Sequence, residues 1–406
     1  MKLIQNSDIY NVNSNSPFVF ESKLPGSGTS VFARMTELAT KYSAVNLAQG
    51  FPDFLPPVEL FEYLNEAVNS GMNQYAPMPG YLPLREQLSR RLQLNYNFEA
   101  DPVTEITITA GATQAIYTII SSIIKPGDKV LIFEPAYDSY GPSVIVNGGI
   151  PVFIKLKEPQ FSIPWEELEN TLRSHNIKLI LINNPHNPCG TVLSSSDVDR
   201  LYSLGEKYDC ILLWDEVYDL LVFDQIKHYS ALQHELMPTR GIVVFSLGKT
   251  LHNTGWKMGY VVANSYYTSE IRKLHQFTVF SVNTPGQFAV AKFIENHFQF
   301  FNELPEFYQK KRDTFLNKIY NSGLEILPCS GSYFILTSIK KITNLSDEDF
   351  ARQLATQCGV ACVPISAFYH DQFDPGIVRF CFAKKEETLQ LAGERLHNII
   401  SKFQFN

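Results

Sequence analysis

From Glu105 to Lys249 the chain alternates short β-branched runs with helical segments, and this alternation restricts the fold more than any other feature. The runs EITITAG, KVLIFEP, PVFIKL, KLILINNP, CILLWDE and GIVVFSLGK are interleaved with stretches such as ATQAIYTIISSII, PWEELENTLRS and SSSDVDRLYSLGEKY. Strands that alternate with helices form a largely parallel sheet with helices on both faces. Ligands of such sheets sit beyond the carboxyl ends of the strands. Polar residues end three of the runs: Asn187 lies beyond LILIN, Asp215 beyond ILLW and Lys249 beyond VVFS. Their separations match a strand–helix–strand unit of roughly 30 residues, so three reactive side chains are expected on one rim.

The flanking sequence predicts a second unit. After about Asn283 it reads as helix over TPGQFAVAKFIENHFQF and ELPEFYQKKRDTFLNKIY, then short strands in LEILP and SYFILT. A helix in DEDFARQLATQC, another strand pair and a last helix from about Lys385 complete an α+β domain. Before the sheet, polar and Gly/Pro/Ser-rich pieces surround a helical stretch near Val31–Tyr42, which suggests an arm lying on another surface. The two Gly/Pro clusters of NQYAPMPGYLP forbid a continuous helix from Glu59 to Tyr96 and leave Tyr75 in a loop. The expected division is an N-terminal arm and part of the small domain over 1–58, a large domain over 59–285 and a small domain over 286–406.

A length of 406 residues suits two or three domains. Charged residues make up only 18%, below the roughly 25% usual for soluble domains, which points to a large or oligomeric globule. The net charge of −7 offers no field to attract nucleic acid or acidic membranes. Six cysteines without a C-x-x-C pair suggest neither a disulfide framework nor a zinc site, and fit a reducing compartment. No H-E-x-x-H or comparable histidine pair supports metal catalysis. The first residues are polar, and no run approaches 18 apolar residues, so the expectation is a soluble, cytoplasmic protein.

The chemistry concentrates at the strand ends. Lys249 follows a buried apolar run, where desolvation depresses the pKa of an amine and frees it as a Schiff-base nucleophile. A lysine that merely snorkels from a strand end is the alternative. Asp215 closes a run so apolar that its carboxylate needs a positive or proton-donating partner; a pyridinium nitrogen, a helix cap or an ion pair each satisfies it. Tyr218 and the proline-bracketed Asn187 are hydrogen-bond donors for the same region, unless they serve packing and turn chemistry. The strand-to-helix turn at Gly111, Ala112 and Thr113 presents free N–H groups to an anion such as phosphate, or else serves tight helix–strand packing. Ser246 and Lys257 flank Lys249 and are suited to close on that phosphate; for Lys257 plain solvation is the alternative. Arg379, inside the apolar strand GIVRFCF, is a bidentate carboxylate receptor or the partner of a structural acid. Tyr137 in EPAYDSY is a candidate to stack on a planar cofactor, although the chain holds 29 Phe and 20 Tyr and core aromatics are commoner.

Together these segments resemble the pyridoxal-phosphate-dependent aminotransferases of fold type I, class I/II. NLAQGFPDF, NQYAPMPGYLPLRE, ITAGATQAIY, NNPHNPCGTV, WDEVYDLLVF and SLGKTLHNTGWKMGY follow the family's order, and the likeness runs from NLAQGFPDF to RFCFAKKE. QYAPMPG, EPAYDSY, HQFTVFSVNTP and LPEFYQKKRD look most like bacterial methionine aminotransferases, relatives of kynurenine and glutamine transaminases. The resemblance implies a mostly parallel seven-stranded sheet flanked by helices, with a smaller α+β domain.

It further implies that Lys249 binds pyridoxal 5'-phosphate covalently, that Asp215 pairs with its pyridinium nitrogen, and that Asn187 and Tyr218 hold its phenolate oxygen. Ala112, Thr113, Ser246 and Lys257 would bind the phosphate, helped by Tyr75 from a partner subunit of a homodimer. Arg379 would take the α-carboxylate of an amino acid or 2-oxo acid, with Asn187 also binding the substrate and the Gly50 backbone nearby. Phe51 and the partner's Phe277 and Phe280 would shape an apolar side-chain pocket. Three positions depart from the family pattern: Lys257 replaces a frequent arginine, Ala136 a frequent aromatic residue and Cys189 the usual threonine. The activity implied is ping-pong transfer of the amino group of methionine, and of aromatic amino acids, histidine or glutamine, to a 2-oxo acid. A cysteine-conjugate β-lyase and a kynurenine–oxoglutarate transaminase use the same scaffold and remain alternatives.

Overall fold

A computed structural model describes residues 21–25, 28–397, 399 and 403; the stretch of the expected arm over 1–20 lies outside the described residues. Seven strands form the main sheet: β1 (Ile106–Thr109), β2 (Lys129–Glu134), β3 (Ile150–Lys155), β4 (Ile177–Asn183), β5 (Ile211–Asp215), β6 (Gly241–Ser246) and β7 (Gly259–Ala263). They lie in the order β1-β7-β6-β5-β4-β2-β3. Strands β2 to β6 run parallel to one another, whereas β7 is antiparallel to both β6 and β1. The sheet is thus mostly parallel, as the alternation predicts. The reversed strand has a local cause: only one-turn helices, Leu247–Thr250 and Thr254–Trp256, separate β6 from β7, too little for a crossover back to a parallel strand.

Side chains alternate between two faces with period two. Val130, Ile132, Leu179, Leu181, Leu213, Ile242 and Val244 pack under the helix Ala112–Ile123 through Ile116, Ile119 and Ile120. Leu131, Phe133, Ile180, Ile182, Leu212, Trp214, Val243 and Phe245 face the opposite layer. Strands β2, β5 and β6 are therefore apolar on both sides, with polar residues only at their ends.

A second sheet holds β8 (Glu325–Ile326), β9 (Phe334–Ser338), β10 (Val363–Pro364) and β11 (Ile377–Cys381), all antiparallel, in the order β10-β11-β9-β8. Arg379 sits in its middle strand, opposite Leu336 and Val363. The chain entering the site is tied to this unit: Val45–Asn46 pairs with Val360–Ala361, and the Cys381 amide donates to the Leu47 carbonyl at 2.8 Å. The predicted break in the 59–96 region is present, with helices Val58–Asn69 and Leu82–Tyr96 on either side of it. The helix Thr284–Asn296 packs along both. No helix among the described residues is long and apolar enough to cross a membrane.

Candidate active site

The carboxyl ends of β4, β5 and β6 lie side by side, with Asn183 in register with Asp215 and Asp215 with Val244. A cavity of about 330 Å³ opens above them. It is lined by Gly50, Ala112, Thr113, Tyr137, Asn187, Asp215, Tyr218, Ser246, Lys249, Lys257 and Arg379, residues that the sequence places on separate segments. Tyr75 is not among them: it is 81% exposed and meets Phe280 edge to face on the outer surface. Phe277 and Phe280 are exposed there as well. Ala136 is turned into the core, and its amide donates to the Phe368 carbonyl, while Tyr137 faces the cavity.

Asp215 is buried at the floor. Tyr140 Oη donates to its Oδ2 at 2.6 Å and the Val217 amide to its Oδ1 at 3.2 Å. Burial raises its pKa to about 6, against the pull of these two donors and of the Lys249 amine. A cation placed beside it would restore the ordinary carboxylate range. Asn183 fixes the neighbouring turn: its Nδ2 donates to the Asp215 carbonyl and its Oδ1 accepts from the Asn187 amide. Asn187 in turn offers Oδ1 to Arg379 at 2.7 Å, which fixes the rotation of the amide and leaves Nδ2 as its remaining donor group.

Lys249 begins just beyond β6, on a one-turn helix whose N-cap is Ser246. Its ε-amine donates to the Tyr333 hydroxyl at 2.7 Å and to the Gly50 carbonyl at 3.1 Å. Burial, with Arg379 and Lys257 adding repulsion, lowers its pKa to about 8 although Asp215 pulls the other way. The sign follows directly: the amine is charged below that pH and nucleophilic above it. In the cofactor-free protein, acylation of Lys249 is therefore expected to have its midpoint near pH 8, whereas ordinary lysines stay protonated to about 10.5. Peptide mapping after labelling across a pH series reads this.

Arg379 is 1% exposed and hydrogen-bonds only neutral groups among the described residues, with the Asp138 carboxylate on the same cavity wall acting on it through space. Its guanidinium lies 3.8 Å over the Phe334 ring and near those of Phe368 and Phe32. Apart from Asn187, it donates to the Ala48 carbonyl, and Nε has no partner. A buried cation so placed lacks its counter-ion, and the cavity is where an anion can reach it. Among the described residues no acid touches the guanidinium directly; Asp138 acts on it from the same cavity wall.

The opposite end suits a second anion. The helix Ala112–Ile123 starts at Gly111, which gives it no side-chain cap, so its first N–H groups are open. Lys257, in the left-handed region at φ 52°, reaches the same place: a Cβ on Gly111 would stand 3.4 Å from its Nζ. Gly259 is paired with both Thr109 and Ser246. A Cβ there would come within 2.7 Å of the Phe245 carbonyl and 2.9 Å of the Ala112 amide. The Gly259→Ala protein is accordingly expected to lose about 1–3 kcal/mol through overpacking against backbone, read as a lower denaturation midpoint.

Sequence reasoning missed Asn183, Tyr140 and Tyr333. Asn183 was detectable as the polar end of KLILIN; Tyr140 and Tyr333 carry no pattern that separates them from core tyrosines. Cys189 is buried, its thiol pushed well up by burial, and does not line the cavity.

The four carbonyls of Ala48, Gln49, Gly50 and Phe51 all face cationic side chains. Arg379 takes the first, Lys249 the third, and the buried Lys384 the second and fourth, at 3.4 and 2.8 Å.

Comparison with known proteins agrees with this arrangement. The family profile "Aminotransferase class I and II" matches residues 42–396. A methionine aminotransferase of Escherichia coli is 42% identical over 386 residues, covering 95% of this chain and all of the relative. A kynurenine–oxoglutarate transaminase of Dictyostelium discoideum is 36% identical, covering 91% of this chain and 94% of its own. Among solved structures, an Escherichia coli protein identified with a methionine aminotransferase function superposes with a TM-score of 0.91 at 42% identity, over 94% of this chain and all of the other. The N-succinyldiaminopimelate aminotransferase of Mycobacterium tuberculosis gives 0.89 at 32% identity, over 94% of this chain and all of the other. With its fold and most of its length in common with these enzymes, the chain belongs to the class I and II aminotransferases and is a transaminase.

Proposed function

We propose that this transaminase takes the amino group of methionine, and of aromatic amino acids, histidine or glutamine, and passes it to a 2-oxo acid in two half-reactions using pyridoxal 5'-phosphate. One observation carries the reading: Arg379, buried without a carboxylate partner, opens on the same cavity as the depressed-pKa amine of Lys249 and the buried carboxylate of Asp215.

The residues present fit the cofactor. The uncapped helix start at Gly111, the Ser246 hydroxyl and the Lys257 amine suit its phosphate, and the absent Cβ of Gly111 leaves room beside Lys257. Asp215 suits a protonated ring nitrogen, Tyr218 and the Asn187 Nδ2 a ring oxygen, and Lys249 an aldehyde. When bound, pyridoxal phosphate supplies the electron sink that makes a Cα–H bond acidic. Lys249 then accepts the Cα proton and returns it as general base and acid. Arg379 grips the α-carboxylate through its planar fork and orients the Cα–H bond. Phe32, Phe51 and Phe334 give the cavity apolar walls, and among the described residues lining it Arg379 is the sole arginine. A thioether or aromatic side chain suits those walls better than a second carboxylate.

In this reading two subunits pair, and the exposed Tyr75, Phe277 and Phe280 of each complete the site of the other. The six free thiols accord with work in the cytoplasm.

Mixing the cofactor-loaded enzyme with methionine alone is expected to yield one equivalent of 2-oxo acid per site and to shift the cofactor's visible absorbance; a 2-oxo acid then reverses it. Failure to form oxo acid from any of the named donors would overturn the proposal. Ammonia and pyruvate released from a cysteine conjugate, without transfer, would assign the β-lyase activity instead.

A further inference from the structure

The hydroxyl of Tyr333 is fully buried, stands against the reactive amine and belongs to no motif described above. Tyr333 lies just before β9, and its O–H donates to the Gly50 carbonyl. With its one proton given to Gly50, this hydroxyl accepts from Lys249 Nζ, 2.7 Å away, and has the Tyr218 hydroxyl as a further hydrogen-bonding neighbour. The Gly50 carbonyl accepts from the same nitrogen at 3.1 Å. A neutral amine has two N–H bonds, and these two acceptors use both. The nitrogen's lone pair is the one position they do not claim.

We propose that Tyr333 is a positioning residue: with the Gly50 carbonyl it forms a seat for the ε-amine of Lys249 whenever that amine is not covalently engaged, and keeps its lone pair free to take a proton. This rests on the reading of Lys249 as cofactor lysine and proton carrier, and extends it to a residue that touches neither the substrate nor the cofactor in that scheme. A long flexible lysine released into a cavity otherwise samples many rotamers, and holding it in one geometry is where general-base efficiency is gained. The Tyr333 ring is itself fixed, meeting Tyr218 edge to face at 5.0 Å and Phe334 at 4.8 Å. The seat is thus rigid and spans both sheets: Lys249 comes from the end of β6, Tyr333 from the start of β9, and Gly50 from the segment between.

Tyr333→Phe keeps the ring and deletes the hydroxyl. In the loaded enzyme, kcat for the methionine half-reaction is expected to fall about tenfold, with KM within twofold, because substrate contacts are untouched. In the cofactor-free full chain, the pH midpoint for acylation of Lys249 is expected to move downward, since the hydroxyl accepts a hydrogen bond from the charged amine and favours it. A variant that merely loosens packing would lower the melting temperature without moving that midpoint. Tyr333→Met, differently shaped and also without a hydroxyl, gives the same two readouts, so a folding defect in one variant does not decide the matter. An unchanged midpoint together with unchanged kcat in a folded variant overturns the seat. Should borohydride fail to fix pyridoxal phosphate to Lys249 in the unaltered enzyme, the functional reading falls, and the acylation midpoints still decide the seat separately.

Discussion

The Lys249→Ala protein is expected to lose amino-group transfer by about 10⁴-fold, the upper range for removing a positioned acid–base group, because the same side chain also carries the cofactor. It should nonetheless fold. Among the described residues the ε-amine makes hydrogen bonds to Gly50 and Tyr333, and removing a buried, depressed-pKa amine removes an electrostatic burden as well as these two contacts. Two measurements check this. Turnover of methionine with a 2-oxo acid reports the loss, and borohydride reduction with pyridoxal phosphate followed by peptide mapping should mark position 249 in the wild type alone. Turnover within tenfold of wild type would remove Lys249 from the mechanism.

The second large effect separates function from stability. In Arg379→Met, kcat/KM for every amino donor should fall about 10- to 150-fold, the equivalent of about 1.5–3 kcal/mol for a charge-assisted contact. The melting temperature should hold or rise. Arg379 is buried among Phe32, Phe334 and Phe368 with no carboxylate in direct contact among the described residues, and burial lowers its pKa to about 10 although Asp138 pulls the other way. An apolar side chain of similar reach relieves that desolvation, as happens when buried charges are replaced by hydrophobic groups. Thermal melting beside steady-state kinetics on several donors checks both halves. A variant that melts far lower while keeping its kcat/KM would show that the guanidinium holds the fold together and does not receive substrate.

The strand ends were legible because a fully buried parallel sheet writes itself as apolar runs, so a polar terminator stands out; Asp215 and the neighbourhood of Lys249 follow from that alone. Asn187 sits in a loop four positions past the true end of β4, Asn183, and the run of polar residues in NNPHNP concealed which one closes the strand. The strand β7 is hard to read because GYVVA follows the lysine segment with only one-turn helices between, and periodicity does not encode strand direction. Arg379 announced itself as a charge in an apolar strand, but whether an acid faced it depended on contacts between distant segments. Tyr140 and Tyr333 depend on the same long-range geometry, and one tyrosine among 20 gives no local sign of it. Ser246 and Lys257 are legible from their spacing around Lys249, and the structure brings both to the cavity beside Gly111.

Residues 48–51 take their shape from side chains belonging to other parts of the chain. Lys384 does not line the cavity, yet it holds the carbonyls on either side of Gly50 and lies 4.9 Å from the Phe51 ring. If Phe51 meets the donor side chain as proposed, replacing Lys384 is expected to shift donor preference from behind, by moving residues 48–51 and not by removing a group that lines the cavity.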